Sequence, residues 1–158
     1  MSIIKKGSLT SAFINVIFSM IIILAVSYFF VTKTMIIGPI LIALGVIVLV
    51  PLYVWKIPLS ILKSEIWFGM IDNGVLAIFA LSGAELFGVL GAIVGSLVGN
   101  AITDGLAGIF EGYAWQKTDK LNVTGKRTAL TVAIGKMAGC LWGGGLVLTI
   151  AWSILSYL

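Results

Sequence analysis

GAELFGVLGAIVGSLVGNAITDGLAGIFEGYAW, residues 83–115, is the stretch that decides the fold of this chain. It is long enough to cross a bilayer as one helix, since about 20 residues at about 1.5 Å each span the hydrocarbon core. It nevertheless carries three acidic side chains and an asparagine, at Glu85, Asp104, Glu111 and Asn100. Such groups are expensive in lipid, so the stretch is expected to turn them toward other helices or a polar cavity.

The composition of the whole chain is typical of a membrane protein. Its 158 residues are 60% hydrophobic and 10% charged, and the mean hydropathy is +1.18. A soluble domain has roughly 25% charged residues, so this chain has too little polar surface for a soluble globule. It contains one cysteine, Cys140, and no histidine. These counts exclude an internal disulfide framework, histidine-ligated zinc or haem, and Ser-His-Asp catalysis.

Apolar runs of spanning length predict an all-α integral membrane protein, a bundle of about five transmembrane helices in one transmembrane domain (1–158). The third of these spans, 64–81, carries Asp72-Asn73-Gly74 near its middle, and this sequence favours a local break in the helix. Ser82-Gly83 is expected to form the next turn, with Ser82 and Glu85 as a helix cap. In a four-span alternative, 64–115 crosses only once. The five predicted spans are 9–31, 35–55, 64–81, 84–115 and 128–157.

Basic residues in the loops indicate the orientation. With five spans, the side opposite the N-terminus holds only Lys33. Cytoplasmic loops carry an excess of lysine and arginine, so the N-terminus is expected in the cytoplasm. The small size and the absence of a targeting segment favour a prokaryotic plasma membrane. The N-terminal side holds the other loop cations, Lys5, Lys6, Lys56, Lys63, Lys117, Lys120, Lys126 and Arg127.

Charged side chains from three spans fall at similar depths in this topology. Measured from the cytoplasmic ends of their spans, Asp72 lies about 12 Å deep, Asp104 about 16 Å and Lys136 about 12 Å. The fourth span also places Asn100, Asp104 and Glu111 on one helical face, because they are spaced i, i+4 and i+11. We expect this face to meet the polar face of the third span.

The chemistry of these residues is that of hard oxygen ligands. Carboxylates, asparagine carbonyls and backbone carbonyls freed by a break suit protons, Na⁺, Mg²⁺, Ca²⁺ or Mn²⁺. A bound hard cation is therefore the one cofactor that the pattern suggests, and Lys136 is expected to act as a counter-charge or gate. The alternative is a buried polar network that only fixes helix packing, with Glu65 and Glu111 at the membrane interface. The candidate ion-pathway or cation-binding residues are Asp72, Asn73, Asn100, Asp104, Glu111 and Glu65.

Glycines at four-residue spacing mark the fourth and fifth spans. Small residues at this spacing let helix backbones approach closely. They could dock the fourth span on the fifth, or they could build a homo-oligomer. The ladder residues are Gly91, Gly95 and Gly99 on the fourth span and Gly135, Gly139 and Gly143 on the fifth.

One short segment resembles a known family. Asn100-Ala-Ile-Thr-Asp104-Gly105-Leu106-Ala107 is similar to the fourth-helix motif of the ZIP metal transporters, His-Asn-x-x-Asp-Gly-Leu-Ala. The resemblance covers eight residues and implies that Asn100 and Asp104 belong to an intramembrane metal site. Gly99 stands where the family has its histidine, and the paired-histidine motif of the family's next helix has no counterpart here.

Three classes of function remain, in descending order of support. The first is membrane transport of a hard cation through an intramembrane carboxylate site. The second is a non-catalytic helical subunit of a larger membrane complex. The third is a metal-dependent membrane enzyme of lipid metabolism, with Asp72 and Asp104 holding the metal. The expected partners are the lipid bilayer and a second copy or a partner membrane subunit, and no nucleic acid, because the basic residues lie in short loops.

Overall fold

The computed structural model describes residues 9–119 and 128–154, which are helical apart from short connections. A 3-10 turn, Leu59–Leu62, leads into the third helix, and a π-helical turn, Thr149–Ile154, extends the fourth. The order of elements follows the predicted apolar runs, and the stretch 63–119 is helical on both sides of a break at Phe87 and Gly88. The four α-helices are α1 (Leu9–Phe30), α2 (Thr34–Val54), α3 (Lys63–Asp119) and α4 (Ala129–Leu148).

Four helical segments in the described part of the chain are long and apolar enough to cross a membrane. Large apolar side chains point outward along them, as at Phe18 and Leu97, which are 63% and 66% exposed. A continuous apolar exterior is unfavourable in water and favourable in lipid, so the fold is compatible with a membrane protein. The segments are Ala12–Phe30, Thr34–Val54, Leu59–Leu106 and Ala129–Trp152.

The long helix α3 is broken at one place, which divides it into a first arm (63–86) and a second arm (89–119). The backbone leaves the helical region at Phe87 (φ −137°, ψ 15°) and at Gly88 (φ 62°, ψ −144°). A positive φ combined with an extended ψ is accessible almost only to glycine. Gly88 therefore permits the chain to reverse its direction here.

The two arms of α3 lie side by side and run in opposite directions. A Cβ atom added at Gly91 would overlap the carbonyl of Gly83, and one added at Gly95 would overlap the carbonyl of Phe79. Residues 79 and 95 would be about 24 Å apart in an uninterrupted helix. Helix α3 is therefore a tight hairpin, closed by glycine contacts between its arms.

The structure corrects three local predictions. The turn lies at Phe87–Gly88 and not at Ser82-Gly83, because Gly83 is helical and serves the close approach of the arms instead. Ser82 and Glu85 lie inside the first arm, so they do not cap a helix start. The backbone is also helical through Asp72-Asn73-Gly74, where a break was predicted. Packing of this segment against its neighbours outweighs the turn preference of Asn-Gly.

Helix α4 packs its glycine face on the first arm. A Cβ at Gly139 would overlap the carbonyl of Ile66, and one at Gly143 would overlap the carbonyl of Met70. Residue numbers rise together along both helices, so the two run parallel. Of the two alternatives for the ladder of the second arm, docking on α4 is not observed: the reversal at Gly88 places Gly91, Gly95 and Gly99 against the first arm.

Helix α2 packs on α4 in the opposite direction. The indole Nε1 of Trp142 donates a hydrogen bond to the carbonyl oxygen of Ile42 over 3.0 Å. The same indole occupies the space beside Gly45, and Thr149 lies against Gly38. Helix α2 is therefore antiparallel to α4. Because α4 is parallel to the first arm, α2 is also antiparallel to the first arm, and the second arm reverses the direction again.

A well-buried apolar cluster lies at one end of the bundle. It joins the start of α1 at Ala12, the end of α2 at Leu52, the turn before α3 at Leu62 and the start of α4 at Leu130. Leu52 and Leu62 are both 0% exposed. Burial of such side chains stabilises this end of the bundle, because it removes apolar surface from water and adds dispersion contacts. Helices α1, α3 and α4 therefore begin at the end where α2 finishes.

A reciprocal cap fixes the start of α4 beside this cluster. The Thr128 hydroxyl accepts a hydrogen bond from the Thr131 backbone N–H over 3.3 Å, and the Thr131 hydroxyl accepts from the Thr128 N–H over 2.9 Å. The pair satisfies amides that would otherwise lack partners at a helix end. Because Thr131 is buried, the cap also fixes where α4 enters the core.

Candidate functional site

The candidate site is centred on Asp72, which lies between the arms of the hairpin. The Thr103 hydroxyl of the second arm donates a hydrogen bond to Asp72 Oδ1, joining residues 31 positions apart. Asp72 is half-buried and Thr103 is 3% exposed. The contact exists because the reversal at Gly88 brings positions 72 and 103 to the same level. Asp72 was predicted as a site residue and Thr103 was not.

The Thr103 hydroxyl has two further acceptors within reach. Its oxygen lies 3.0 Å from the carbonyl oxygen of Gly99 and 3.1 Å from that of Asn100. Threonine in a helix commonly donates to a carbonyl three or four residues earlier. Since the hydroxyl has one proton, it can donate to Asp72 or to its own helix at any moment. This makes Thr103 a group with alternative hydrogen-bond partners beside a carboxylate.

Helix α4 adds Lys136 and Cys140 to the same region. Gly69 allows the approach, since a Cβ there would lie 2.6 Å from the Lys136 carbonyl oxygen and 2.8 Å from the Cys140 backbone nitrogen. The Lys136 ammonium lies 4.9 Å from the centre of the Phe68 ring, a cation–π contact. Gly69 lies three residues before Asp72 on the first arm, so Lys136 and Cys140 lie close to the level of Asp72. Three helical segments therefore contribute polar groups to one region.

Asn100 and Asp104 lie on a different face of the second arm. The Asn100 side-chain amide donates to Asp104 Oδ2 over 2.9 Å, and both residues are exposed. Thr103 and Asp104 are neighbours about 100° apart around the helix, so the rotation that turns Thr103 inward turns Asp104 sideways. The expected meeting of the Asn100–Asp104 face with Asp72 is therefore corrected, and the role of the pair in an ion pathway stays a prediction.

The remaining predicted residues are placed less closely around Asp72. Glu65, in the first turn of α3, is 2% exposed and packs beside Gly135 of α4. The alternative that places Glu65 at the membrane interface is therefore corrected, because the side chain is buried between helices. A carboxylate in the first turn also interacts favourably with the helix dipole. Asn73 is half-buried and helical. The side chain of Glu111 lies outside the described part of the structure, so its predicted role is neither supported nor opposed.

A predicted cation site can be compared with the clusters that the structure contains. Among the described residues, no group of three or more cysteine, aspartate and glutamate side chains could hold a metal ion. Two side-chain contacts of the described residues involve a carboxylate of the predicted pathway: Asp72 with Thr103, and Asp104 with Asn100. At Asp72 the structure therefore places a carboxylate with a hydroxyl donor, close to the level of a lysine and a thiol on α4.

The fold and this site define a class, that of all-helical proteins with membrane-length helices and a carboxylate inside the bundle. No protein-family model, curated protein or solved structure matches the chain. The resemblance to the ZIP transporters therefore stays confined to residues 100–107, and what it implies for Asn100 and Asp104 stays a prediction.

Proposed function

We propose that this protein moves a hard cation across a membrane through a carboxylate site centred on Asp72. The observation that supports the proposal most is the position of Asp72, held by Thr103 between the two antiparallel arms of the long apolar segment Leu59–Leu106. An ionisable group inside a membrane span is costly and marks ion or proton pathways. In this proposal Lys136, on the adjoining face of α4, is the counter-charge of the carboxylate, and a transported cation would take its place.

A proton is the simplest cation for this arrangement. The groups gathered near Asp72 are a hydroxyl, a thiol and an amine, all of which exchange protons. A carboxylate with one hydroxyl partner can take up and release a proton without rearranging a coordination shell. Na⁺ or a divalent ion would need further oxygen ligands beside Asp72, and the exposed Asn100–Asp104 pair lies on a different face of the second arm.

Five crossings form part of the proposal. The arms of α3 run in opposite directions, and α2, the two arms and α4 alternate in direction along the chain. The apolar end cluster then lies near the cytoplasmic surface, because the predicted cytoplasmic loops are at that end. Lys33 and the tip at Phe87–Gly88 lie outside. We infer a prokaryotic plasma membrane as the setting.

The test measures ion movement by the purified protein in liposomes. Vesicles with a trapped pH-sensitive dye report protons, and vesicles with trapped ion indicators report Na⁺, Mg²⁺, Ca²⁺ and Mn²⁺. We expect wild-type protein to carry at least one of these ions and Asp72→Asn to lower that flux at least tenfold. Glu85→Gln is the matched control, because it neutralises an exposed carboxylate near the tip of the same arm. Equal flux in wild type and Asp72→Asn contradicts the proposal.

A second candidate function is that of a subunit in a homo-oligomer or larger membrane assembly. The observation that favours it is the exposed Asn100–Asp104 pair, which lies among exposed Leu97, Ile102 and Leu106 on the second arm. Polar groups on a membrane-facing surface associate with polar groups of another helix. We expect native mass spectrometry in mild detergent to show a multimer, and Asn100→Leu with Asp104→Leu to shift it to the monomer. A wild-type monomer contradicts this candidate.

A further inference from the structure

We propose that the Thr103 hydroxyl reverses its role when Asp72 gains or loses a proton, and so keeps the two arms joined in both states. The inference rests on the proposed function, since it describes how the same site tolerates the binding of a proton. Thr103 would act as a positioning residue for Asp72. It is part of a contact between the arms and not of a separate site.

The two states follow from the donors and acceptors present. When Asp72 is ionised it can only accept, so the Thr103 O–H donates to Asp72 Oδ1, as observed. When a proton bonds to a carboxylate oxygen of Asp72, the new O–H donates to the Thr103 oxygen. The Thr103 proton then turns to the Gly99 carbonyl, whose oxygen lies 3.0 Å away. One O–H bond forms on Asp72, and no other covalent bond changes.

The surroundings of Thr103 make this exchange specific. Thr103 is 3% exposed, so its hydroxyl depends on partners within the protein. A buried polar group that loses its partner is unfavourable, and here each state gives the hydroxyl an acceptor. The carbonyl of Asn100, 3.1 Å from the hydroxyl oxygen, is a second acceptor for the same rotation. A side chain that can only donate could not accept the acid proton, and one that can only accept could not pair with the ionised carboxylate.

The first test is spectroscopic and does not depend on transport. Infrared difference spectra recorded across the titration of wild-type protein should contain a protonated carboxyl band that is absent in Asp72→Asn. We expect Thr103→Val to shift the frequency of that band, because the acid proton loses its acceptor, and Thr103→Ser to restore it. Thr149→Val is the matched control, since Thr149 makes the same type of bond to its own helix, at Gly145, over 2.7 Å. An unchanged band in Thr103→Val overturns the inference.

The second test measures the distance between the arms. Paired spin labels at Ile78 and Val98, both exposed, report the separation of the first and second arms above and below the titration midpoint. We expect one distance at both pH values in wild type. Asp72→Asn should keep it, because the amide can donate to the Thr103 oxygen as the acid does, and Asp72→Leu should change it.

These outcomes are distinguishable from a failure of the proposed function. A wild-type protein that moves no ion, yet shows the band and the constant distance, overturns transport and leaves the hydrogen-bond exchange standing. Arms that separate in wild type when Asp72 is protonated overturn the exchange, whatever the flux. If Thr103→Val does not fold, the comparison of Asp72→Asn with Asp72→Leu still decides, because equal distances in those two variants also overturn it.

Discussion

At the scale of single residues, Gly88 has the largest effect on the shape of the chain. Its φ of 62° and ψ of −144° lie where side chains other than hydrogen are strained. A Cβ added there would meet no atom within 4 Å. The requirement for glycine is therefore conformational, and it does not depend on a crowded neighbour.

Replacing Gly88 with alanine should destabilise the hairpin by about 1–3 kcal/mol through backbone strain alone. The control is Gly105→Ala, which also adds a Cβ into open space but within a regular helix. That change should be neutral or stabilising by about 0.5–1 kcal/mol, because alanine favours the helix. Denaturant unfolding of the purified protein in detergent measures the free energy of unfolding of both variants. Equal values for Gly88→Ala and Gly105→Ala would show that the reversal does not need glycine.

Thr103 shows where prediction of the site from the sequence stopped. Asp72 could be predicted because an acid in an apolar run is conspicuous. Thr103 could not, because threonine is ordinary within an apolar helix and its acidic neighbour Asp104 carried the stronger signal. Which of two adjacent residues faces inward depends on a rotation of about 100°, and that rotation is set by tertiary contacts. The glycines on the inner face, Gly95 and Gly99, provide the one sequence signal for it, since Gly99 and Thr103 are four residues apart.

At the scale of helices, the first arm of α3 organises the packing. It receives α4 on one face and the second arm on another, and in both cases a glycine meets a backbone carbonyl. Contacts of this type depend on the absence of a Cβ and exclude even a methyl group. The apolar runs predicted α1 and α2 to within a residue or two of their ends. The break in α3 was misplaced, because a single glycine in an apolar run is a weaker turn signal than Ser-Gly or Asn-Gly.

Gly139→Ala should separate α4 from the first arm. The added Cβ would overlap the backbone of Ile66, which cannot move aside as a flexible side chain can. Overpacking of this type costs about 1–3 kcal/mol. Gly144→Ala is the matched control, since it lies on the same helix and meets no atom within 4 Å. Thermal unfolding in detergent should show a lower midpoint for Gly139→Ala than for Gly144→Ala; the reverse order would contradict this packing.

At the scale of the whole molecule, the alternating helix directions determine which loops share a surface. Helices α1, α3 and α4 begin at the end where α2 finishes, and the apolar cluster there joins residues near these four helix ends. The exposed basic residues Lys56 and Lys63 flank the turn at this end. Because cytoplasmic loops carry an excess of basic residues, this end should be the cytoplasmic one.

Cysteine labelling in intact cells tests this topology. In a Cys140→Ala background, Glu85→Cys near the hairpin tip should react with an impermeant maleimide added outside. Lys56→Cys should react only after the membrane is permeabilised. The four-span alternative, in which 64–115 crosses once, does not bring residue 85 to the outer surface. Protection of Glu85→Cys in intact cells, combined with normal reactivity of Lys56→Cys after permeabilisation, would contradict five crossings.

The hydrogen bond between Asp72 and Thr103 also imposes an order on biosynthesis. The ribosome makes Asp72 31 residues before Thr103, so the first arm emerges while its partner has not been translated. Until then the carboxylate has no hydroxyl from the second arm, and it favours an aqueous or protein-lined site over lipid. The first arm should therefore remain beside the insertion machinery until the second arm follows, and the hairpin should enter the bilayer as a pair.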